Sequence, residues 1–196
     1  MGDSVRTRDL VEWCRVPAEE LEQHPNRRVP LRIVRDGAEM GRLMARELVD
    51  LIDGRNRAGQ ETRVIVPCGP SSWYAPWTEE VNRRGVSLAR LHVFHMDECL
   101  DWQGQPLPRL HPYNFRSFME RRFYGGIADR LQVPEPQRHW LLPATIESVR
   151  AAIEAAPIDL ALGGWGQDGH VAYNQARRHP YAPVSLEELE RSTIRI

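Results

Sequence analysis

Asp168 and His170 close a glycine-rich run, GGWGQDGH, that follows directly on an apolar segment over residues 158–162. A carboxylate two positions from an imidazole places an orienting charge beside a group that titrates near neutrality, which suits proton exchange with a small substrate. Gly163, Gly164 and Gly166 allow backbone N–H groups to approach a bound molecule closely. The same letters also fit an ordinary Gly/Asp turn carrying a surface histidine.

Two further clusters carry chemistry. His95-Met96-Asp97-Glu98-Cys99 ends an apolar stretch over 91–96. A carboxylate partly withdrawn from water gains proton affinity and can serve as a general base, so either Asp97 or Glu98 fits that role. The plain alternative is that Asp97 caps a turn and Glu98 is solvated. A metal set built from His92, His95, Asp97 and Glu98 matches no recognised ligand spacing. Residues 67–72, PCGPSS, form the third cluster: Gly69 permits close approach, Ser71 and Ser72 supply hydroxyls, and a following helix would aim its positive end at a phosphate. Pro70 removes one donor, there is no Walker-type lysine, and no GxGxxG follows a strand. Neither a nucleotide P-loop nor a dinucleotide cofactor is therefore expected.

The elements that must position these loops alternate as an α/β domain requires. Strands are expected over 29–34, 63–66, 91–96, 140–142 and 158–162, and helices over 37–52, 73–84, 113–124 and 146–155. Pro76 must then lie near the first turn of its helix, and Gly85 ends it. The order predicts a Rossmann-like, doubly wound, mostly parallel sheet with helices on both faces. Three of its strands end in the candidate loops, at the edge where such sheets bind ligands. Residues 1–28 read as an N-terminal helical extension and 29–196 as the α/β domain. A helix-capping pattern at 185–189 and a strand-like TIRI at the end suggest that the natural domain continues past Ile196.

Composition limits the partners. The chain has 196 residues, 41% hydrophobic and 27% charged, enough for one core. With 26 basic against 27 acidic residues the net charge is -1, which gives no electrostatic case for nucleic acid or an anionic membrane. The longest apolar stretches are strand-sized and the first residues lack a hydrophobic signal core, so the expectation is a soluble cytoplasmic protein. Cys14, Cys68 and Cys99 are odd in number and scattered, hence reduced thiols. A small-molecule ligand fits best. Trp73, Trp77 and Trp102 fall near expected loops, where they would either pack in the core or form a homo-oligomer interface.

Taken together, VIVPCGP, FHMDECL followed by HPYNFRSFMERRFY, and LALGGWGQDGHVAYN resemble the glucosamine-6-phosphate deaminases (isomerases), within the larger group that includes 6-phosphogluconolactonase. The resemblance covers residues 29–175, and its combination of MDE, HP and SFM is that of the deaminase branch. It implies conversion of glucosamine 6-phosphate to fructose 6-phosphate with release of ammonia, a deaminase and isomerase chemistry needing neither metal nor organic cofactor. Asp97 would move a proton between C2 and C1 of the ring-opened sugar, and His170 would assist ring opening with Asp168 orienting it. Gly69, Ser71, Ser72 and Glu98 would bind the sugar phosphate, while Gly164 and Gly166 line the sugar site. Gln175 stands where the family carries a glutamate that tunes the histidine, so the His170 proton affinity should be lower here. A sugar-phosphate lactonase and a non-catalytic sugar-phosphate-binding protein are the alternatives.

Overall fold

The computed structural model describes residues 11–69 and 71–164. Asp36 begins the longest helix by accepting the Glu39 N–H at 2.7 Å, and Glu39 returns a bond to the Arg35 N–H, a reciprocal cap that fixes the start. Before it lies a one-turn helix, α1 (Ala18–Leu21), and residues 11–13 are helical as well. The chain then runs as α2 (Gly37–Arg57), β1 (Thr62–Val66), α3 (Tyr74–Arg84), β2 (Leu91–His95), α4 (Phe115–Met119), β3 (Arg138–His139), α5 (Ile146–Ala155) and β4 (Leu160–Ala161). A π-helical turn, Glu120–Tyr124, continues α4. Among the described residues none forms a helix long and apolar enough to cross a membrane.

The four strands make one sheet in the order β3-β2-β1-β4, and every pairing is parallel. Each successive strand is added on one side until β3, after which the chain crosses back to place β4 against the other flank of β1. Strand order therefore reverses between β1 and β4, and the crevice beyond their carboxyl ends is the ligand position of a doubly wound sheet. Alternation sets the two faces of the sheet. Val64, Val66, Leu91 and Val93 join one continuous core with Leu48, Val49 and Ile52 of α2, Trp77 and Val81 of α3, and Met119 and Phe123 beyond them. On the opposite face Arg63 reaches α5, donating to the Ala152 carbonyl and to Pro157 O at 3.2 Å. Trp77 stacks on Phe123 at 5.1 Å and donates its indole N–H to Phe123 O at 3.1 Å, joining α3 to the π-turn.

Three elements differ from the expectation. Residues 29–34 form no strand: Val29 is 67% exposed, Pro30 has no N–H for a ladder, and both flanks of β1 are already filled. The strand expected at 140–142 lies two residues earlier, at Arg138–His139, because Trp140 leaves the ladder to stack on His95 at 3.9 Å. The helix expected over 113–124 begins at Phe115, capped by Asn114, and widens into the π-turn; this brings the consecutive Phe123 and Tyr124 both into the core. Trp73 and Trp77 are buried, whereas Trp102 is 91% exposed. Arg84 and Gly85 end α3 as expected, with Gly85 left-handed at φ +64°.

Gly41, buried inside α2, lies where an added Cβ would meet the Ser72 carbonyl carbon at 2.8 Å and the Trp73 Cα at 3.2 Å. Helix α2 can approach the turn before α3 only without a side chain at this position. Gly54, one turn from the end of the same helix, has nothing within 4 Å of such a Cβ. Gly41→Ala should lower unfolding free energy by about 1–3 kcal/mol through overpacking, and Gly54→Ala should raise it by roughly 0.5–1 kcal/mol. Urea melts of the two variants measure both signs.

Candidate functional site

The ladder of β1 and β2 ends with Val66 opposite His95, and one further bond carries it on, from the Met96 N–H to Val66 O at 2.9 Å. The two chains then leave the sheet side by side. The Cys68 N–H donates to Asp97 Oδ2 at 3.2 Å, so the loop after β1 and the acidic pair after β2 are joined directly. Asp97 and Glu98 are both half-buried.

Tyr74 holds the first loop in shape. Its hydroxyl donates to Pro67 O at 2.7 Å and accepts the Gly69 N–H at 3.2 Å. Burial pushes the phenol pKa up, so it remains a neutral donor. Gly69, Ser71 and Ser72 lie exposed on the outer side of this turn, immediately before the first turn of α3. Pro70 lies outside the described residues.

Behind the loop is a buried polar chain. His95 Nδ1 stands 3.8 Å from the Cys68 sulfur, and its Nε2 stands 3.1 Å from the Tyr124 hydroxyl. Burial pushes the imidazole down from 6.5 to about 3, with the charges of His139, Arg138 and Arg116 adding to the effect. Burial likewise pushes the Cys68 thiol up. His95 is therefore neutral, with one ring nitrogen donating and the other accepting. Its neighbour on the other face of β2, His92, instead meets His139 at 3.2 Å. The strand thus sends the two histidines to opposite sides, and the four residues of the metal reading do not converge.

Glu98 braces the site from the side of α4. One carboxylate oxygen accepts the Phe115 N–H at 2.7 Å and the Cys99 N–H at 3.0 Å, and the other accepts the Arg116 N–H at 3.0 Å. Asn114 caps the same helix by accepting from Ser117 N at 2.8 Å. Glu98 therefore serves as a helix cap at the edge of the site, a use of the second acid that the motif alone does not reveal.

The third wall begins with β4. Leu162 N–H donates to Ile65 O at 2.9 Å, which delivers Gly163 and Gly164 to the same end of the sheet as Cys68 and Asp97. Gly166, Asp168, His170 and Gln175 lie outside the described residues. Of the expected site residues, the structure thus brings Gly69, Ser71, Ser72, Asp97, Glu98 and Gly164 to one edge. Tyr74 and Tyr124 were not legible as site neighbours, and His95 stood out only as part of the cluster before Asp97, because only the fold reveals that two tyrosines and this strand histidine stand behind the loops.

Two desolvated imidazoles, His95 fully buried and His139 half-buried, give the fold an acid sensitivity. His139, stacked on Phe94 at 4.2 Å, is pushed down from 6.5 to about 4 by burial and by His92 and Arg63. Both rings bind protons more readily when unfolded, so their contribution to stability is complete above 6.5 and is lost as pH falls toward their folded values. His139→Phe keeps the stack without a titrating ring, and should lose less thermal stability than the parent chain between about pH 7 and about pH 4.5. Equal losses in the two proteins would contradict this.

No family model matches the chain. Curated relatives do: it is 30% identical over 147 residues to the glucosamine-6-phosphate deaminase of Cronobacter sakazakii (strain ATCC BAA-894), covering 70% of this chain and 52% of that protein. To the glucosamine-6-phosphate deaminase of Caenorhabditis elegans it is 28% identical over 172 residues, covering 83% of this chain and 61% of the relative. The chain spans little more than half the length of these relatives. A solved monomeric glucosamine-6-phosphate deaminase superposes with a TM-score of 0.58 at 19% identity, over 72% of this chain and 57% of that one, which shows a shared fold. With its all-parallel sheet and its loops at one edge, the chain is a sequence relative of the glucosamine-6-phosphate deaminases built on their α/β fold.

Proposed function

We propose that this chain carries the core of an aminosugar-phosphate deaminase, acting on glucosamine 6-phosphate by aldose–ketose isomerisation with loss of ammonia. The observation that supports it most is the bond from the Cys68 N–H to the Asp97 carboxylate. It sets an acid in contact with a small-residue turn ahead of a helix N-terminus, on the β1–β2 side of the crevice where the strand order reverses. A phosphate over Gly69, Ser71 and Ser72 would meet hydroxyls and the positive end of α3, and the sugar would extend from it toward Asp97.

In this reading Asp97 takes the proton from C2 of the open-chain sugar and returns it at C1, leaving a C2 imine that water hydrolyses to the ketone and ammonia. A half-buried carboxylate aimed by a backbone donor is placed for that work. His170 would exchange a proton with the ring oxygen on opening, with Asp168 orienting it and Gln175 leaving it less basic than a glutamate would. Gly164 and Gly166 would border the sugar, and Glu98 would act by holding α4 and the loop. No step requires a metal or an organic cofactor.

The test is ammonia release from glucosamine 6-phosphate by the full-length protein. Asp97→Asn still accepts the Cys68 N–H but cannot take a proton, and should reduce kcat by about 10²–10⁴-fold with the fold intact. Glucosamine lacking the phosphate should not be turned over. Hydrolysis of a sugar-phosphate lactone without ammonia release, or binding without turnover, would replace this reading with the corresponding alternative.

A further inference from the structure

The chain of contacts behind the first loop is not needed to fill the core, since apolar side chains would pack there without the desolvation of a thiol, an imidazole and a phenol. Tyr124 Oη, both ring nitrogens of His95 and Cys68 Sγ instead form a continuous line, with 3.1 Å at one end and 3.8 Å at the other. The line ends on the residue whose N–H bonds Asp97. The His95 ring is fixed on its faces too, stacked at 3.9 Å on Trp140 with an interplanar angle of 2°. Tyr124 is set by the π-helical turn, which leaves its ring under the Arg138 guanidinium at 4.3 Å.

We infer that His95 is a positioning residue for Asp97: tethered to Tyr124 and clamped on Trp140, it holds Cys68, and through the Cys68 N–H it sets the direction of the Asp97 carboxylate. This rests on the reading of Asp97 as the proton-transferring base. His95 touches no reacting atom in it. The groups around the ring are Cys68 on the β1 loop, Tyr124 on the π-turn, Trp140 just after β3, Arg138 and His139 on β3 and Arg116 on α4. Its neutrality across the working range means that the tether does not loosen with pH.

The test uses the full-length protein with two readouts. In His95→Leu the carboxyl titration of Asp97, followed by carbon-13 NMR, should move upward, because a loosened N–H bond no longer favours the charged form. With glucosamine 6-phosphate kcat should fall by about tenfold to a hundredfold while KM changes little, as expected for a misdirected base. His95→Asn, which keeps a hydrogen-bonding group toward Cys68, should recover part of both effects. Tyr124→Phe removes one tether at nearly constant volume and serves if His95→Leu does not fold; it should move both readouts in the same direction. A folded variant with an unchanged Asp97 titration and unchanged kcat would overturn the inference. If the parent protein releases no ammonia, the deaminase reading fails, and the Asp97 titration in the variants still decides whether His95 positions that carboxylate.

Discussion

The parallel register that sets Val66 opposite His95 is the constraint on which the rest depends. Because the two strands end level, the chains leave the sheet at adjacent points, and Cys68 and Asp97 emerge close enough to bond. A slip of one residue would send His95 to the other face and take Asp97 away from the loop. Parallel pairing requires long crossovers, and these crossovers are the helices that cover the sheet. One choice of pairing thus fixes both the core and the site.

The loops after the strands are kept in place from below and behind. Gly41 lets α2 press on the turn at Ser72, and the buried Tyr74 hydroxyl ties Pro67 to Gly69. From the side, Glu98 accepts the two backbone N–H groups of Phe115 and Arg116 at the start of α4, together with that of Cys99 in its own loop. The outer surfaces of Gly69, Ser71 and Ser72 remain exposed. A surface turn supported by buried, satisfied polar groups can present a fixed shape to a ligand without burying its own donors.

Much of this was legible in the residues. The alternating run ending at Asp97 and the helical spacing from Met40 to Ile52 carry periodicities that local chemistry imposes, and both elements formed. The apolar run at 29–34 reads equally well, yet it has no sheet neighbour; pairing is a property of the whole fold, which a local pattern does not contain. Likewise MDE marks two acids as notable but does not separate them. Only the position of α4 shows that Glu98 is engaged as a cap while Asp97 turns to the loop. The tether through His95 was hidden for the same reason, since Cys68, His95, Tyr124 and Trp140 are distant in sequence and meet only after the strands pair.

The junction of two loops, rather than any single motif, is therefore the centre of the molecule. The most direct measurement of that claim is a crystal structure of the full-length protein with glucosamine 6-phosphate bound. The phosphate should lie against Gly69, Ser71 and Ser72, with sugar C2 facing the Asp97 carboxylate while that carboxylate still accepts the Cys68 N–H. A phosphate bound away from this turn, or an Asp97 directed away from the sugar, would contradict it.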